Sequence, residues 1–136
     1  MKTVSILTLS DAKAIAAAAE DEARRQGWNV VIAIVDAGGH LVYLQRMDDT
    51  QVGSVVVAQE KARTAVLFRR PSKALEDTVL GGKPHMMTLP GATTIEGGLP
   101  LVHNGQVLGA IGVSGVMSHQ DGVVAKAGAD ILTTLA

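Results

Sequence analysis

No cysteine occurs anywhere in the 136 residues, which removes a disulfide framework, a thiol nucleophile and any thiolate metal site from consideration. Aromatic residues are nearly as scarce, Trp28, Tyr43 and Phe68 being the only three. The core must therefore be aliphatic, and the stacking platforms on which single-stranded nucleic acids rest are missing. Charge of one sign is also lacking. With 12 basic and 13 acidic residues the formal net charge is −1, so no long-range field attracts polyanions, and nucleic acid is not an expected partner. Although 47% of the residues are hydrophobic, no uninterrupted apolar run approaches the roughly 20 needed to cross a bilayer. The opening residues, Met1 to Leu7, carry no long apolar stretch followed by a small-residue cleavage site, so they do not read as a secretory signal. The expectation is a soluble cytoplasmic chain of one domain, spanning residues 1–136.

What is present is a regular succession of periodic segments. Ala12, Ile15, Ala16, Ala19 and Ala23 recur at helical spacing between Ser10 and Gly27, which predicts a helix capped by Ser10 with a flat, alanine-rich inner face. Two β-rich runs, strands near 30–36 and 41–46, flank the turn-forming stretch Asp36-Ala37-Gly38-Gly39-His40 and should pair as a hairpin. Helical spacing returns with Val55, Ala58, Ala62, Ala65 and Val66 over 54–69, and Pro71 closes it. Ser72 is placed to cap a short further helix ending at Gly81-Gly82. From Gly81 to Gly98 the chain reads as a long loop, with one short strand near Met86 to Leu89. A second hairpin, 99–102 and 107–114, turns on Asn104-Gly105. A last helix over 120–135 shows Val124, Ala127, Ile131 and Leu135 on one face. Helix, hairpin, helix, loop, hairpin, helix is the order of an α+β domain with an antiparallel sheet, and not of a parallel doubly wound one.

Familiar catalytic signatures fail on inspection. Gly112-Val113-Ser114-Gly115-Val116 lacks the glycine two residues after the serine that a nucleophile elbow requires. Gly109, Gly112 and Gly115 lie within a strand with no Gly-Lys-Ser/Thr to follow, so they read as points of close backbone approach instead of a phosphate loop. Of the four histidines, His40 and His103 fall in hairpin turns, and His119 stands beside Asp121 ahead of the last helix, where capping and proton transfer are both open to it. His85 is followed by Met86 and Met87, pairing imidazole with thioether, two common donors to haem iron; filling of the loop is the alternative role. Arg46 and Asp48 end the second strand and Lys61 lies in the next helix, a set that either converges on an anionic ligand or forms a helix-to-sheet salt bridge.

Several phrases taken in order carry a resemblance: Ile34-Val35-Asp36-Ala37-Gly38-Gly39-His40-Leu41, Arg46-Met47-Asp48, Lys61-Ala62-Arg63-Thr64-Ala65, Glu96-Gly97-Gly98-Leu99-Pro100 and Gly109-Ala110-Ile111-Gly112-Val113-Ser114-Gly115. Together they resemble the GlcG/HbpS family, which includes the C-terminal domain of PduO-type proteins. The resemblance implies a profilin-like three-layer α/β/α fold with an antiparallel sheet of about five strands, and assembly into homo-tetramers or octamers. It further implies haem binding in some members, and elsewhere association with glycolate, diol-utilisation and corrinoid systems. It also brings Glu96, Gly97 and Gly98 into the candidate ligand site beside Arg46, Asp48, Lys61, His85, Met86 and His119. Two departures stand out. Asp121-Gly122 replaces the family's Asp-Glu pair before the last helix, and no histidine lies in the first helix.

The leading expectation is thus a binding, sensing or accessory protein for haem or a related tetrapyrrole, with His85 as iron ligand and the macrocycle held in a loop-lined or intersubunit pocket. The competing expectation is an enzyme acting on a small carboxylate or aldehyde, with Arg46 binding and Lys61 or His119 moving a proton. A third is an assembly protein with no ligand chemistry. Visible absorption separates the first from the others, because only bound haem gives a Soret band.

Overall fold

The computed structural model describes residues 1–134. Helix α1 (Leu9–Gln26) leads into the hairpin β1 (Val31–Asp36) and β2 (Leu41–Arg46). Helices α2 (Ser54–Phe68) and α3 (Ser72–Leu80) follow, then a short 3-10 helix, Pro84–Thr88. The hairpin β3 (Gly98–His103) and β4 (Gln106–Ser114) precedes α4 (Ser118–Ala129), which runs into a last 3-10 turn, Asp130–Thr133. Leu135, expected on the apolar face of the last helix, lies outside the described residues. The sheet order is β2-β1-β4-β3 with every neighbouring pair antiparallel, so each hairpin pairs internally and β1 and β4 join them at the centre.

Helices cover both faces. Alternate residues of β1, together with Val30 just before it, divide between them: Val30, Ile32 and Ile34 enter the cluster built with α1 and α4, whereas Val31, Ala33 and Val35 meet Ala58, Ala62, Ala65 and Val66 of α2. A strand buried on both sides needs no polar alternation, which is why 30–35 reads as one unbroken apolar run. Aliphatic chains supply almost the whole core, as the shortage of aromatics requires. The packing is close because it is made of small residues. At Gly112 on β4 an added Cβ would run into the backbone of Ala58 and Ala62, so the helix axis lies nearer the sheet than any larger residue would permit.

Several local expectations are corrected. The sheet has four strands, not five: the N-terminal segment meets β4 through the Gln106 side-chain amide, which donates to Ser5 O and accepts from Ser5 N, instead of through a backbone ladder. The short strand expected at Met86 to Leu89 is the 3-10 helix; Pro84 begins it without an N–H, and the Thr88 hydroxyl donates back to His85 O. Helix α1 starts earlier than expected because Thr8, not Ser10, caps it, in a reciprocal box with Asp11. Ser72 opens α3 without capping it, its hydroxyl being committed elsewhere. The Asn104-Gly105 turn forms as expected, both residues having positive φ (51° and 75°), as a two-residue hairpin turn demands.

Candidate functional site

The least ordinary feature of the interior is a charged pair. Lys61 sits on the inner face of α2, three residues after Ala58 and four before Ala65, so the helix carries it into the core. Its side chain is 2% exposed, and its Nζ lies 3.0 Å from Oδ2 of Asp121, itself 2% exposed on the first turn of α4. Lys61 Nζ also donates to Val113 O at 3.1 Å, and Asp121 Oδ1 accepts the Val116 N–H at 3.1 Å. The pair therefore ties α2, β4 and α4 together. Burial pushes the Asp121 carboxyl above the ordinary aspartate range, against the attraction of Lys61 and its hydrogen bonds. A lysine ammonium has three donors, and two are used here among the described residues.

Gly97 and Gly98 form the lid over this pair. A Cβ on Gly97, whose φ is +134°, would fall 2.9 Å from both Cδ and Nζ of Lys61, and one on Gly98 would enter the Lys61 carbonyl. Glycine is thus required at 97 on both conformational and steric grounds, and at 98 on steric grounds alone. The lid is pinned by side chains from α2 and α3. Ser72 Oγ donates to Ile95 O at 2.6 Å and accepts from Gly98 N at 2.9 Å, while Glu76 accepts from Glu96 N at 3.2 Å. Further back, Thr64 Oγ1 donates to Gly91 O and accepts from Thr93 N. The long segment from 81 to 98 is therefore a built part of the domain rather than a slack connection.

Outside the lid lies a cavity of about 230 Å³ between α3, β3 and α4. Its walls are largely carbon, from Pro71, Leu99 and the two lid glycines, with Lys73, Glu96 and Lys126 around them. The Glu96 carboxylate packs directly on Gly122, in space that any side chain at 122 would take. A second, larger cavity of about 790 Å³ runs between the N-terminal segment and the Gly105–Leu108 end of β4, with Arg69 and Lys2 on its wall. No His, Met or Tyr lines either cavity.

The sequence candidates divide accordingly. Lys61, Glu96, Gly97 and Gly98 come together, with Asp121 as the partner that sequence reasoning left outside the site. The signal was available: a lysine in register with buried alanines must find a buried counter-ion. Arg46 and Asp48 are not brought to Lys61. They are exposed at the β2 edge, and β1 separates that strand from β4, about 10 Å away across the sheet. His85 is exposed on the Pro84–Thr88 turn with Met86 half-buried beside it, and His119 is exposed on the first turn of α4. Among the described residues no three His, Asp or Glu side chains cluster as a metal site. No described helix is long and apolar enough to cross a membrane.

Comparison with known proteins agrees with this architecture. Residues 7–130 match the family model for haem degrading protein HbpS-like. Protein GlcG of Escherichia coli (strain K12) is 48% identical over 114 residues, 84% of this chain and 85% of that protein. A double mutant of Streptomyces reticuli HbpS superposes with a TM-score of 0.89 at 32% identity, over 97% of this chain and 90% of the other. A PduOC:heme complex gives 0.83 at 30% identity, over 93% and 94%. With residues 7–130 matched by the family model and GlcG 48% identical over 84% of the chain, the chain belongs to the GlcG/HbpS family.

Proposed function

We propose that this chain is a haem- or tetrapyrrole-binding domain with a sensing or accessory role, and that His85 supplies the iron donor. The observation that carries the reading is the likeness, over nearly the whole chain, to a domain whose structure was solved as a haem complex. The family description points to the same ligand. The donor chemistry fits: an exposed imidazole at His85, with the Met87 thioether two residues on and 56% exposed, offers one or two ligands at the protein surface. Lys83 stands next to this turn, exposed, and can meet a propionate.

The size of the cavities argues for how the ligand is covered. A tetrapyrrole cannot enter 230 Å³, and the 790 Å³ groove has no iron donor on its wall. The macrocycle is therefore held against the Pro84–Thr88 turn with a second copy of the chain as the opposite wall. Leu80 and Met87, 79% and 56% exposed, provide apolar surface on this side. When bound, haem would supply a redox-active, gas-binding iron; the protein's part is to hold and shield it, with no catalytic step assigned. The test is a haem titration followed in the Soret region. Wild type and His103→Ala, altered in the distant hairpin, should give the same band, and His85→Ala should shift or lose it. Equal spectra from all three would remove His85 from the role, and no band from wild type would overturn haem binding.

A further inference from the structure

The cavity of about 790 Å³ is bounded by the β1–β2 and β3–β4 turns, the C-terminal end of α2 and the N-terminal segment. Two features of its wall have no use within the domain. The first is Arg69. It ends α2 in the left-handed region, at φ 52° and ψ 42°, a conformation for which α1 uses Gly27 at φ 76°. A residue with a Cβ is disfavoured there, and glycine is the common solution. The Arg69 side chain is exposed and enters no ion pair among the described residues. Such strain persists where the side chain serves something beyond the local fold. The second feature is apolar. Leu7 is buried, but Val4 and Ile6 of the same segment are 56% and 79% exposed, and Val66, Val107 and Leu108 line the same cavity. The one carboxylate on this wall among the described residues, Asp36, is committed to its own turn, where Oδ1 accepts the Gly38 and His40 N–H groups, both at 2.9 Å.

We propose that this groove binds an amphipathic anion, an aliphatic chain ending in a carboxylate, with the carboxylate taken by Arg69 and the chain laid along Ile6, Val66 and Val107. A planar guanidinium grips a carboxylate through two parallel hydrogen bonds, so Arg69 alone suffices for the head group. Lys2, on the same wall and also outside any ion pair among the described residues, adds positive potential without having to touch that group. The apolar wall gives the chain somewhere to leave water, and the volume lies in the range of sites that enclose a ligand of this size. No lining residue belongs to the Pro84–Thr88 turn, so this ligand and haem have separate seats.

The experiment uses the haem-free chain and follows the amide resonances of Gly38 and Gly105 and the methyl resonances of Val107 and Leu108. The probes are decanoate, octanoate, and decanol, which has the chain without the charge. Decanoate should cause saturable shifts at these residues and leave Gly97 and Leu99, at the smaller cavity, in place. It should bind about tenfold more tightly than octanoate, because two further methylenes are buried. The same margin of about tenfold should separate it from decanol, through the charge-assisted pair with Arg69. Arg69→Gln keeps the backbone strain and should abolish the preference for decanoate over decanol. Arg69→Gly relieves the strain, so it should hold or raise the denaturation midpoint while weakening decanoate about tenfold, a split that a purely structural arginine does not give. Position 69 is exposed, so both variants fold. The proposal is overturned if decanoate causes no saturable shift, if decanol or octanoate binds as tightly, or if Arg69→Gly binds decanoate as wild type does. A lowered midpoint in Arg69→Gly would likewise overturn it, by showing that the arginine serves the fold. None of these outcomes bears on the Soret titration, so the two readings fail independently.

Discussion

At the scale of single residues, the Lys61–Asp121 pair decides most. Two charges at 2% exposure are costly to desolvate, and removing one partner leaves the other stranded, at about 3–5 kcal/mol. Asp121→Ala should destabilise by that order in chemical unfolding, because both Lys61 and the Val116 N–H lose their acceptor. Asp121→Asn has the shape of the protonated acid and keeps an acceptor oxygen, so it should cost less than Asp121→Ala while still leaving the Lys61 charge without its counter-ion. The pH dependence follows from the direction of the shift. Burial raises the Asp121 pKa in the folded state, so the fold binds this proton more tightly than the unfolded chain does. The resulting stability is fully present below the unfolded value of about 3.9 and is lost as pH rises through the raised folded value. The difference between wild type and Asp121→Asn should therefore move toward wild type as pH falls across that window. Asp11 and Glu20 act oppositely, their pKa values being lowered by hydrogen bonds, chiefly from Thr8 and from Arg24. Unfolding curves of the two proteins from pH 7 to 3 check the sign, and a gap that moves toward the asparagine variant contradicts it.

At the scale of elements, α2 and β4 hold the domain together, and their contact depends on Gly112. Gly112→Val should push the helix from the sheet and cost about 1–3 kcal/mol or more. Gly53→Ala, with nothing within 4 Å of the added carbon, should change little. Denaturation midpoints of the two variants test this, and equal midpoints would mean that the close approach carries no stability. These elements were largely legible beforehand. Both hairpins, the long helices and the antiparallel arrangement follow from periodicity and from Asn104-Gly105, and Gly112 already read as a point of close approach. The segment from 81 to 98 was not legible in the same way. Its shape is set by Thr64, Ser72 and Glu76, hydroxyl and carboxylate groups 20 to 29 residues away in sequence. No local pattern announces such partners. The same holds for Asp121, whose meaning depends on a lysine 60 residues earlier. The supposed convergence of Arg46, Asp48 and Lys61 failed for a related reason: sequence order does not reveal that β1 lies between β2 and β4.

At the scale of the whole molecule, the resemblance carried what periodicity could not. It supplied the family, and with it haem as the ligand to test, whereas the residues alone offered only His85 and its methionine neighbours. The one architectural detail it overstated was the sheet, four-stranded here. The central claim is that haem is held between copies of the chain, since neither cavity in a single copy offers both the room and the iron donor. Native mass spectrometry after haem loading and desalting tests this most directly, because it counts chains and haems in the same particle. The account predicts haem only on assemblies of two or more 14.1 kDa chains, with haem lost when they dissociate. Haem retained on a single chain, or assemblies that take up none, would contradict it.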